Sequence, residues 1–187
     1  QINKGSYNDF IHPLETDATG IMVPHVMSLE EAKQIVYYTK FFPVGRRPLD
    51  GGNADGKFCL MDSLTYMKQA NKERFVTVQI EDPEPLAELE EICALDGIDM
   101  IFFGPADFSQ GIGAPCEFDD PRISEARELI AKTARKYGKF AGTVGNCDNL
   151  AEYAAMGYSF VNVISDVTTL SKEYISTLEK CRSALRR

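Results

Sequence analysis

The sequence predicts an α/β fold in which helices cover a parallel β-sheet. From Thr19 onward, segments typical of strands alternate with segments of helical periodicity, and the links between them are short. The strand segments are almost continuously apolar, which is typical of parallel strands that are buried on both faces. No repeat, linker or low-complexity segment divides the 187 residues, and this length suffices for a sizeable core. We therefore predict a single domain over residues 1–187.

The N-terminal part is predicted to hold short elements. Residues 1–2 could be the end of a strand, and Asp9–Glu15 favours one or two helical turns with Asp9 as a cap. Thr19–Val26 is apolar and is predicted to be a short buried strand. Ser28 and Glu31 have the spacing of a capping box, which predicts that a helix begins there.

Two segments rich in glycine and proline are predicted to be loops, and regular elements alternate around them. Phe42–Gly56 is long enough to be functional rather than a mere connector, and Gln110–Pro121 is a second loop. The other predicted elements are the helix Leu60–Asn71, the strand Phe75–Ile80, the helix Leu86–Leu95, the strand Met100–Phe103, a helix from Pro121 to Tyr137, the strand Lys139–Val144, the helix Asn149–Met156, the strand Tyr158–Ile164 and the helix Thr169–Leu185.

The composition excludes several classes of protein. The chain is 44% hydrophobic and 26% charged, as is ordinary for a globular protein. A net charge of -8 argues against nucleic acid or an anionic membrane as a partner. No apolar run approaches the roughly 20 residues that span a bilayer, and no signal peptide is recognised. Five scattered cysteines without a CxxC pair argue against a disulfide scaffold or a zinc site and favour the cytoplasm.

The most informative stretch runs from Phe75 to Ser109 and reads FVTVQIEDPEPLAELEEICALDGIDMIFFGPADFS. Its two apolar strand segments each end at a carboxylate, which is Glu81 in the first case and Asp107 in the second. If the strands are parallel neighbours, these side chains lie side by side at one edge of the sheet. Two hard oxygen ligands so placed suit a divalent cation such as Mg²⁺ or Mn²⁺. Spacing alone gives equal weight to solvated turn carboxylates or helix caps.

The motifs VQIED and GIDMIFFGPADFSQGIG, with a helical segment between them, resemble those of the HpcH/HpaI family of metal-dependent pyruvate aldolases. This family includes 4-hydroxy-2-oxoheptanedioate and 2-dehydro-3-deoxyglucarate aldolases. The similarity continues through TGIMVPHVMSLEEAKQIV, FFPVGRRPLDGG, KYGKFAGTVG and GYSFVNVISDV, and so covers nearly the whole chain. The two motifs are specific in combination, whereas either alone would be weak. The resemblance implies a (β/α)₈ TIM-type barrel of the phosphoenolpyruvate/pyruvate superfamily, with the site at the carboxyl ends of the strands.

The resemblance also implies a set of site residues. Glu81 and Asp107 would be the metal ligands, and Gln79 would lie near the substrate on the same strand as Glu81. Alternation along that strand agrees with this, because it places Gln79 and Glu81 on one face and directs Ile80 toward the helices. Backbone amides would face the carboxylate of pyruvate from a turn formed by Gly104, Pro105 and Ala106.

Two elements of the family pattern are not found in the sequence. One is an Asp-x-x-His element that carries the acid/base histidine, and the other is an arginine that grips the keto acid. The arginine would fall near the N-terminus, where the sequence reads Gln1-Ile2-Asn3-Lys4. The chain thus resembles a family member without its first two to three βα units. Lys4 could supply a positive charge, and the catalytic residue stays unassigned.

The implied function is that of a divalent-metal-dependent aldolase, a carbon–carbon lyase that cleaves or forms 2-keto acids. Pyruvate would chelate Mg²⁺, Mn²⁺ or Co²⁺, and the cation would stabilise the enolate that adds to an aldehyde. We expect pyruvate and an aldehyde as small-molecule partners, and a homo-oligomer. Two alternatives stay open: a citrate-lyase-like cleavage of a CoA thioester, which the acidic charge disfavours, and a non-catalytic fragment that binds metal and keto acid.

Five other polar residues are functional candidates. His25 follows a strand end and is the one candidate base in place, although a structural or rim histidine is favoured. His12 is expected to be exposed in a short helix. Arg46 and Arg47 could meet an anionic substrate or a neighbouring subunit, or pair on the surface. Asp166 could orient a loop or cap the last helix.

Overall fold

The computed structural model describes residues 1–4 and 6–186, and one parallel sheet lies at its centre. The five strands lie in the sheet in the order in which they occur in the chain. All four neighbouring pairs are parallel, so that every connection crosses over the sheet. The strands are β1 (Gly20–Val23), β2 (Phe75–Ile80), β3 (Met100–Phe103), β4 (Phe140–Val144) and β5 (Phe160–Asn162).

One helix precedes β1, six lie in the connections between the strands, and one follows β5 among the residues described. Short 3₁₀ turns, Lys57–Cys59 and Glu84–Glu88, lie before α3 and α4. The helices are α1 (Tyr7–Glu15), α2 (Leu29–Thr39), α3 (Ser63–Glu73), α4 (Leu89–Ala94), α5 (Pro105–Gly111), α6 (Pro121–Lys136), α7 (Leu150–Met156) and α8 (Asp166–Leu185).

One face of the sheet packs against the helices and forms the main core. Val23, Val78, Ile80, Ile101 and Phe103 are fully buried on this face. The prediction that Ile80 points toward the helices is therefore confirmed. The helices contribute Ile35 from α2, Ile92 from α4, and Ile123 and Ile130 from α6.

The opposite face of the sheet is apolar but open. The sheet curls into half of a barrel, and an open cavity of about 640 Å³ lies against the amino-terminal halves of its strands. Phe75, Phe140 and Phe160 line this cavity and are 43%, 60% and 48% exposed. Beyond β1, the Ile2 N–H donates to Met22 O at 3.0 Å, as an adjacent strand would. The curled parallel sheet confirms the α/β prediction, and the eight-stranded closure is not present in the residues described.

Several boundaries differ from the predicted ones for local reasons. The third helix begins at Ser63 rather than Leu60, because the Asp62 side chain accepts from Thr65 N–H and caps it. A helix that was not predicted, α5, follows β3 directly. Pro105 occupies its first position, where a missing N–H costs nothing. In α1, the predicted cap Asp9 is wrong, because Ser6 is the cap and its N–H donates to the Asp9 carboxylate at 2.8 Å.

The C-terminal helix α8 stands apart from the core. It is 20 residues long, and none of its residues is buried. An exposed stripe of apolar side chains nevertheless runs along it at helical spacing. Among the residues described, no helix has both the length and the apolar character that crossing a membrane requires. The stripe consists of Val167, Leu170, Tyr174, Leu178 and Leu185.

Candidate metal centre

Three chain segments meet at the carboxyl ends of β1, β2 and β3. Glu81 follows the last residue of β2, Asp107 is the third residue of α5 after β3, and His25 lies two residues beyond β1. One ligand atom from each of these three side chains lies within 4.8 Å of the other two. The predicted juxtaposition of Glu81 and Asp107 is therefore confirmed, whereas their role as metal ligands stays a prediction.

The register of the sheet explains this meeting. Ile80 of β2 pairs with Phe103 of β3, so that Glu81 and Gly104 come next on the two strands. A Cβ on Gly104 would lie 2.5 Å from Glu81 Oε2 and 3.0 Å from Gln79 Nε2. The glycine is thus required for β3 to end this close to the carboxylate, because any larger residue would displace it.

The Glu81 carboxylate is buried, with 1% of its side chain exposed. Its Oε1 accepts the His25 backbone N–H at 2.9 Å, and its Oε2 accepts the Gln79 side-chain amide. Burial raises the pKa of Glu81, and the nearby Asp107 and Asp82 carboxylates raise it further, against the His25 N–H. A buried carboxylate among other acids, at the rim of a sheet, has the electrostatics of a functional site.

The Gln79 side chain adds a second buried polar group to the site, next to the Glu81 carboxylate. Its Nε2 is used by Glu81, while its Oε1 is buried and has no hydrogen-bond partner within the described chain. A buried acceptor without a partner is uncommon in folded proteins. This amide oxygen and the carboxylate oxygens of Glu81 and Asp107 are hard donors, which suit a divalent cation.

The three residues predicted to face a carboxylate with their amides form the start of α5. The Gly104 N–H donates to Ile80 O at 3.0 Å, and Pro105 has no N–H. Of the three, Ala106 therefore carries the one amide without an intramolecular acceptor in the described structure. Substrate contact by this turn stays a prediction, and any amide contact would come from Ala106 rather than from Gly104 or Pro105.

The imidazole of His25 lies beside two carboxylates, those of Asp82 and Glu81. Its Nδ1 lies 2.9 Å from Asp82 Oδ2, and its Nε2 lies 3.6 Å from Glu81 Oε1. Its backbone has a φ of 48°, a left-handed conformation that is uncommon for residues with a side chain. The hydrogen bond with Asp82 is the main cause of a raised pKa of the His25 imidazole. Lys4 also reaches this corner, because its ammonium donates to His25 O and pairs with Glu31 at 2.7 Å.

The two candidate arginines, Arg46 and Arg47, both contact residues of the 42–56 loop. Arg47 is buried, and its Nη2 donates to Asp55 Oδ2 at 2.8 Å. The Tyr66 hydroxyl donates to the other oxygen of Asp55, and the Arg47 guanidinium stacks over Phe41 at 4.9 Å. Arg47 is therefore an internal support of the 42–56 loop, and both interpretations made from the sequence are wrong. Arg46 is exposed and lies over Phe42.

The remaining two candidates lie outside the cluster. His12 has 67% of its side chain exposed and pairs with Glu15 in α1, as predicted for an exposed histidine. Asp166 is the first residue of α8, and its carboxylate accepts the next N–H at 2.8 Å. The cap of that helix is Ser165.

Asp82 was missed as a partner of His25, although its position directly after Glu81 at a strand end was a usable signal.

Comparison with known proteins gives a consistent result. A sequence model of the family described as HpcH/HpaI aldolase/citrate lyase matches residues 2–172. A 2-keto-3-deoxy-L-rhamnonate aldolase of Klebsiella pneumoniae is 33% identical over 152 residues, which is 80% of this chain and 56% of that protein. A 4-hydroxy-2-oxo-heptane-1,7-dioate aldolase of the same species is 34% identical over 161 residues, 85% of this chain and 60% of that protein. The chain thus spans 56 to 60% of the length of these curated relatives.

A solved structure shares the fold. The HpcH/HpaI aldolase/citrate lyase family protein from Burkholderia cenocepacia J2315 superimposes with a TM-score of 0.85 at 25% sequence identity. The superposition covers 95% of this chain and 70% of that one.

Proposed function

The chain belongs to the HpcH/HpaI aldolase/citrate lyase family. From this membership we propose that it is part of a divalent-metal-dependent carbon–carbon lyase. The proposed reaction cleaves or forms a 2-keto acid, with pyruvate and an aldehyde as the small molecules. The names of the curated relatives, which are aldolases, support the aldolase proposal over a citrate-lyase-like cleavage of a CoA thioester.

Each residue of the site has a role in the proposal. Glu81 and Asp107 hold the cation through carboxylate oxygens, and Mg²⁺, Mn²⁺ or Co²⁺ would suit them. A bound cation supplies Lewis-acid stabilisation of negative charge on the keto acid. Gln79 holds Glu81 in place through its amide, and we propose that its Oε1, which has no partner in the described chain, contacts the ligand. The Ala106 N–H at the start of α5 would receive the substrate carboxylate.

The observation that carries the proposal is the burial of Glu81 beside Asp107. A carboxylate that is 1% exposed, with a raised pKa and a second acid within 4.8 Å, is costly to keep ionised without a cation. Among the described residues, the His25 imidazole is a basic side chain beside Glu81, and its Nε2, 3.6 Å from Glu81 Oε1, is too far away for a hydrogen bond.

Deuterium exchange at the methyl group of pyruvate tests the proposal. In D₂O with MnCl₂, the protein is expected to exchange the methyl protons, as followed by NMR, and EDTA is expected to stop the exchange. Glu81→Gln should abolish it, whereas Glu90→Gln, at a surface glutamate paired with Lys136, should not. Mn²⁺ binding at Glu81 without any exchange would contradict lyase chemistry in this chain.

The finer structural expectations are also part of the proposal. The curled sheet is proposed to belong to a single-domain (β/α)₈ barrel, because the relatives are longer and Ile2 continues the hydrogen bonding beyond β1. We place the protein in the cytoplasm and expect a homo-oligomer. The exposed stripe on α8 and the open apolar face of the sheet support the assembly part.

A further inference from the structure

The open face of the sheet carries an isolated polar side chain on β5, that of Asn162. Side chains alternate along a strand, and Phe160 of β5 lines the open cavity, so that Asn162 points to the same face. The Phe160 ring also contacts Phe102 of β3, with ring centres 6.2 Å apart. On the described strands β3, β4 and β5, the other side chains of this face are apolar. They are Met100, Phe102, Phe140, Val144 and Phe160.

The register of the sheet places Asn162 in the same row as Glu81. Glu81 and Gly104 adjoin one another directly after β2 and β3, because the residues before them are paired. In the same way the row continues from Gly104 to Val144 of β4, and Val144 pairs with Asn162. Neighbouring strands lie about 4.8 Å apart, so the row runs about 14 Å along the sheet. Because the sheet is curled, the two ends of the row face a shared space.

The side chain of Asn162 is not used by the fold. Its backbone carbonyl accepts the Gly145 N–H at 3.0 Å, which ties the end of β5 to the end of β4. Its side chain is exposed and makes no hydrogen bond with any residue that the structure describes. An amide has both donors and an acceptor, which are the groups that a hydroxyl group needs as partners.

The charges on this part of the open face favour a neutral ligand over an anionic one. Within the described strands β3, β4 and β5, none of the side chains on this face is that of Lys or Arg. A second carboxylate on a substrate would be held best by such a cation. The amide of Asn162 therefore suits a neutral hydroxyl group better.

We propose that Asn162 binds a hydroxyl group of the aldehyde and determines which aldehyde reacts. This inference rests on the proposed function, because it concerns the second substrate of the same reaction. Pyruvate lies at the Glu81 end of the row, and the aldehyde extends past Val144 toward Asn162. C3 of pyruvate loses a proton and forms a bond with the aldehyde carbon, and the aldehyde oxygen gains a proton. The substrate class is therefore a short, neutral hydroxyaldehyde.

A comparison of glycolaldehyde with propionaldehyde tests this preference. The two aldehydes are of similar size and differ in a hydroxyl group that replaces a methyl group. The rate of pyruvate addition to each, with MnCl₂ present, gives the ratio of the two kcat/KM values. The wild-type protein is expected to favour glycolaldehyde, and a single neutral hydrogen bond contributes roughly tenfold to such a ratio.

The decisive measurement is the change of this ratio in variants of Asn162. Asn162→Leu keeps a similar shape without hydrogen-bonding groups and should lower the ratio of glycolaldehyde to propionaldehyde about tenfold. Asn162→Ala, which adds no bulk, should lower it in the same direction. Partial loss of folded or metal-loaded protein would slow both reactions equally and leave the ratio unchanged. Asn8→Leu, at an exposed asparagine of α1, is the matched control and should keep the wild-type ratio.

The outcomes separate this inference from the proposed function. An unchanged ratio in Asn162→Leu and Asn162→Ala would overturn the inference and leave the proposed function standing. A wild-type protein that exchanges the methyl protons of pyruvate but adds it to neither aldehyde would do the same. A wild-type protein without any exchange would overturn both.

Discussion

At the scale of single residues, the buried carboxyl of Glu81 makes the stability of the protein depend on pH. Its pKa is raised mainly by burial, so the folded state favours the protonated form. The resulting stabilisation is present at low pH and is lost as the pH rises through the pKa of the folded state. Ionisation of this buried carboxyl at higher pH therefore reduces the stability of the metal-free protein.

Glu81→Gln is accordingly expected to stabilise the metal-free protein at pH 7. The gain should be about 1 kcal/mol, because a neutral amide replaces the buried charge and Gln79 can turn its free Oε1 toward it. The gain should shrink toward pH 4, where the wild-type carboxyl is protonated. Urea unfolding in EDTA at both pH values measures this, and an equal loss of stability at both would contradict it.

Gly104 makes a second prediction at this scale. Gly104→Ala should weaken Mn²⁺ binding at least tenfold, because the new methyl group would enter the space of Glu81 Oε2. Gly51→Ala is the fold control, because a Cβ at Gly51 would meet only Cys59 Sγ, at an ordinary contact distance of 4.0 Å. Mn²⁺ titration by EPR measures both variants, and unchanged binding in Gly104→Ala would contradict the account of the close approach.

The sequence was sufficient to predict that Glu81 and Asp107 lie together, and insufficient to predict which residues surround them. Glu81 and Asp107 each end an apolar run, and that local pattern carries their position. The His25–Asp82 contact joins residues 57 positions apart and depends on how β1 lies beside β2. Arg47 was misjudged for a similar reason, because a Gly-rich loop gave no sign that Asp55 and Tyr66 would bury it.

At the scale of elements, the 42–56 loop is held by a buried ion pair. Both side chains of the Arg47–Asp55 pair are almost fully buried, at 1% and 0% exposure. Asp55→Ala would leave the Arg47 guanidinium without its partner, and the free energy of unfolding should fall by about 3 kcal/mol. Chemical denaturation measures this loss.

The control for that variant lies in the same loop. Asp50→Ala alters an exposed side chain that bonds only Gly52 N–H, and its effect should stay below about 1 kcal/mol. Equal destabilisation by the two variants would contradict a structural role for the ion pair.

The elements themselves were largely predictable, and their ends were less so. The alternation of apolar strands with amphipathic segments indicates the parallel sheet, because β-strands and helices differ in period. The short helix α5 was missed because GPADFSQG has turn residues at its start, and only the adjoining sheet shows that they begin a helix. The capping of α1 by Ser6 rather than Asp9 has the same origin, since both residues fit a cap.

At the scale of the whole molecule, the apolar stripe on α8 predicts self-association. Leu170 and Leu178 are 56% and 54% exposed, and a row of such side chains on one helix needs a covering surface. The double variant Leu170→Glu and Leu178→Glu should lower the mass measured by analytical ultracentrifugation. Lys172→Glu, also on α8, should leave that mass unchanged, and a monomeric wild-type protein would contradict the prediction.

The closed barrel is an expectation that comes from the resemblance alone, and the described residues do not form it. Five strands with a regular order are visible in the pattern of the chain, and the structure shows them curled. Closure into a ring depends on strand number and tilt, which no local pattern of these residues specifies.

We expect Glu81 and Asp107 together to hold one divalent cation. Titration of Mn²⁺ by EPR tests it most directly, with the wild-type protein compared with Glu81→Gln, Asp107→Asn and the surface variant Glu90→Gln. We expect one Mn²⁺ site per chain in the wild type and in Glu90→Gln, and the loss of that site in Glu81→Gln and in Asp107→Asn. Unchanged Mn²⁺ binding in either Glu81→Gln or Asp107→Asn would contradict it.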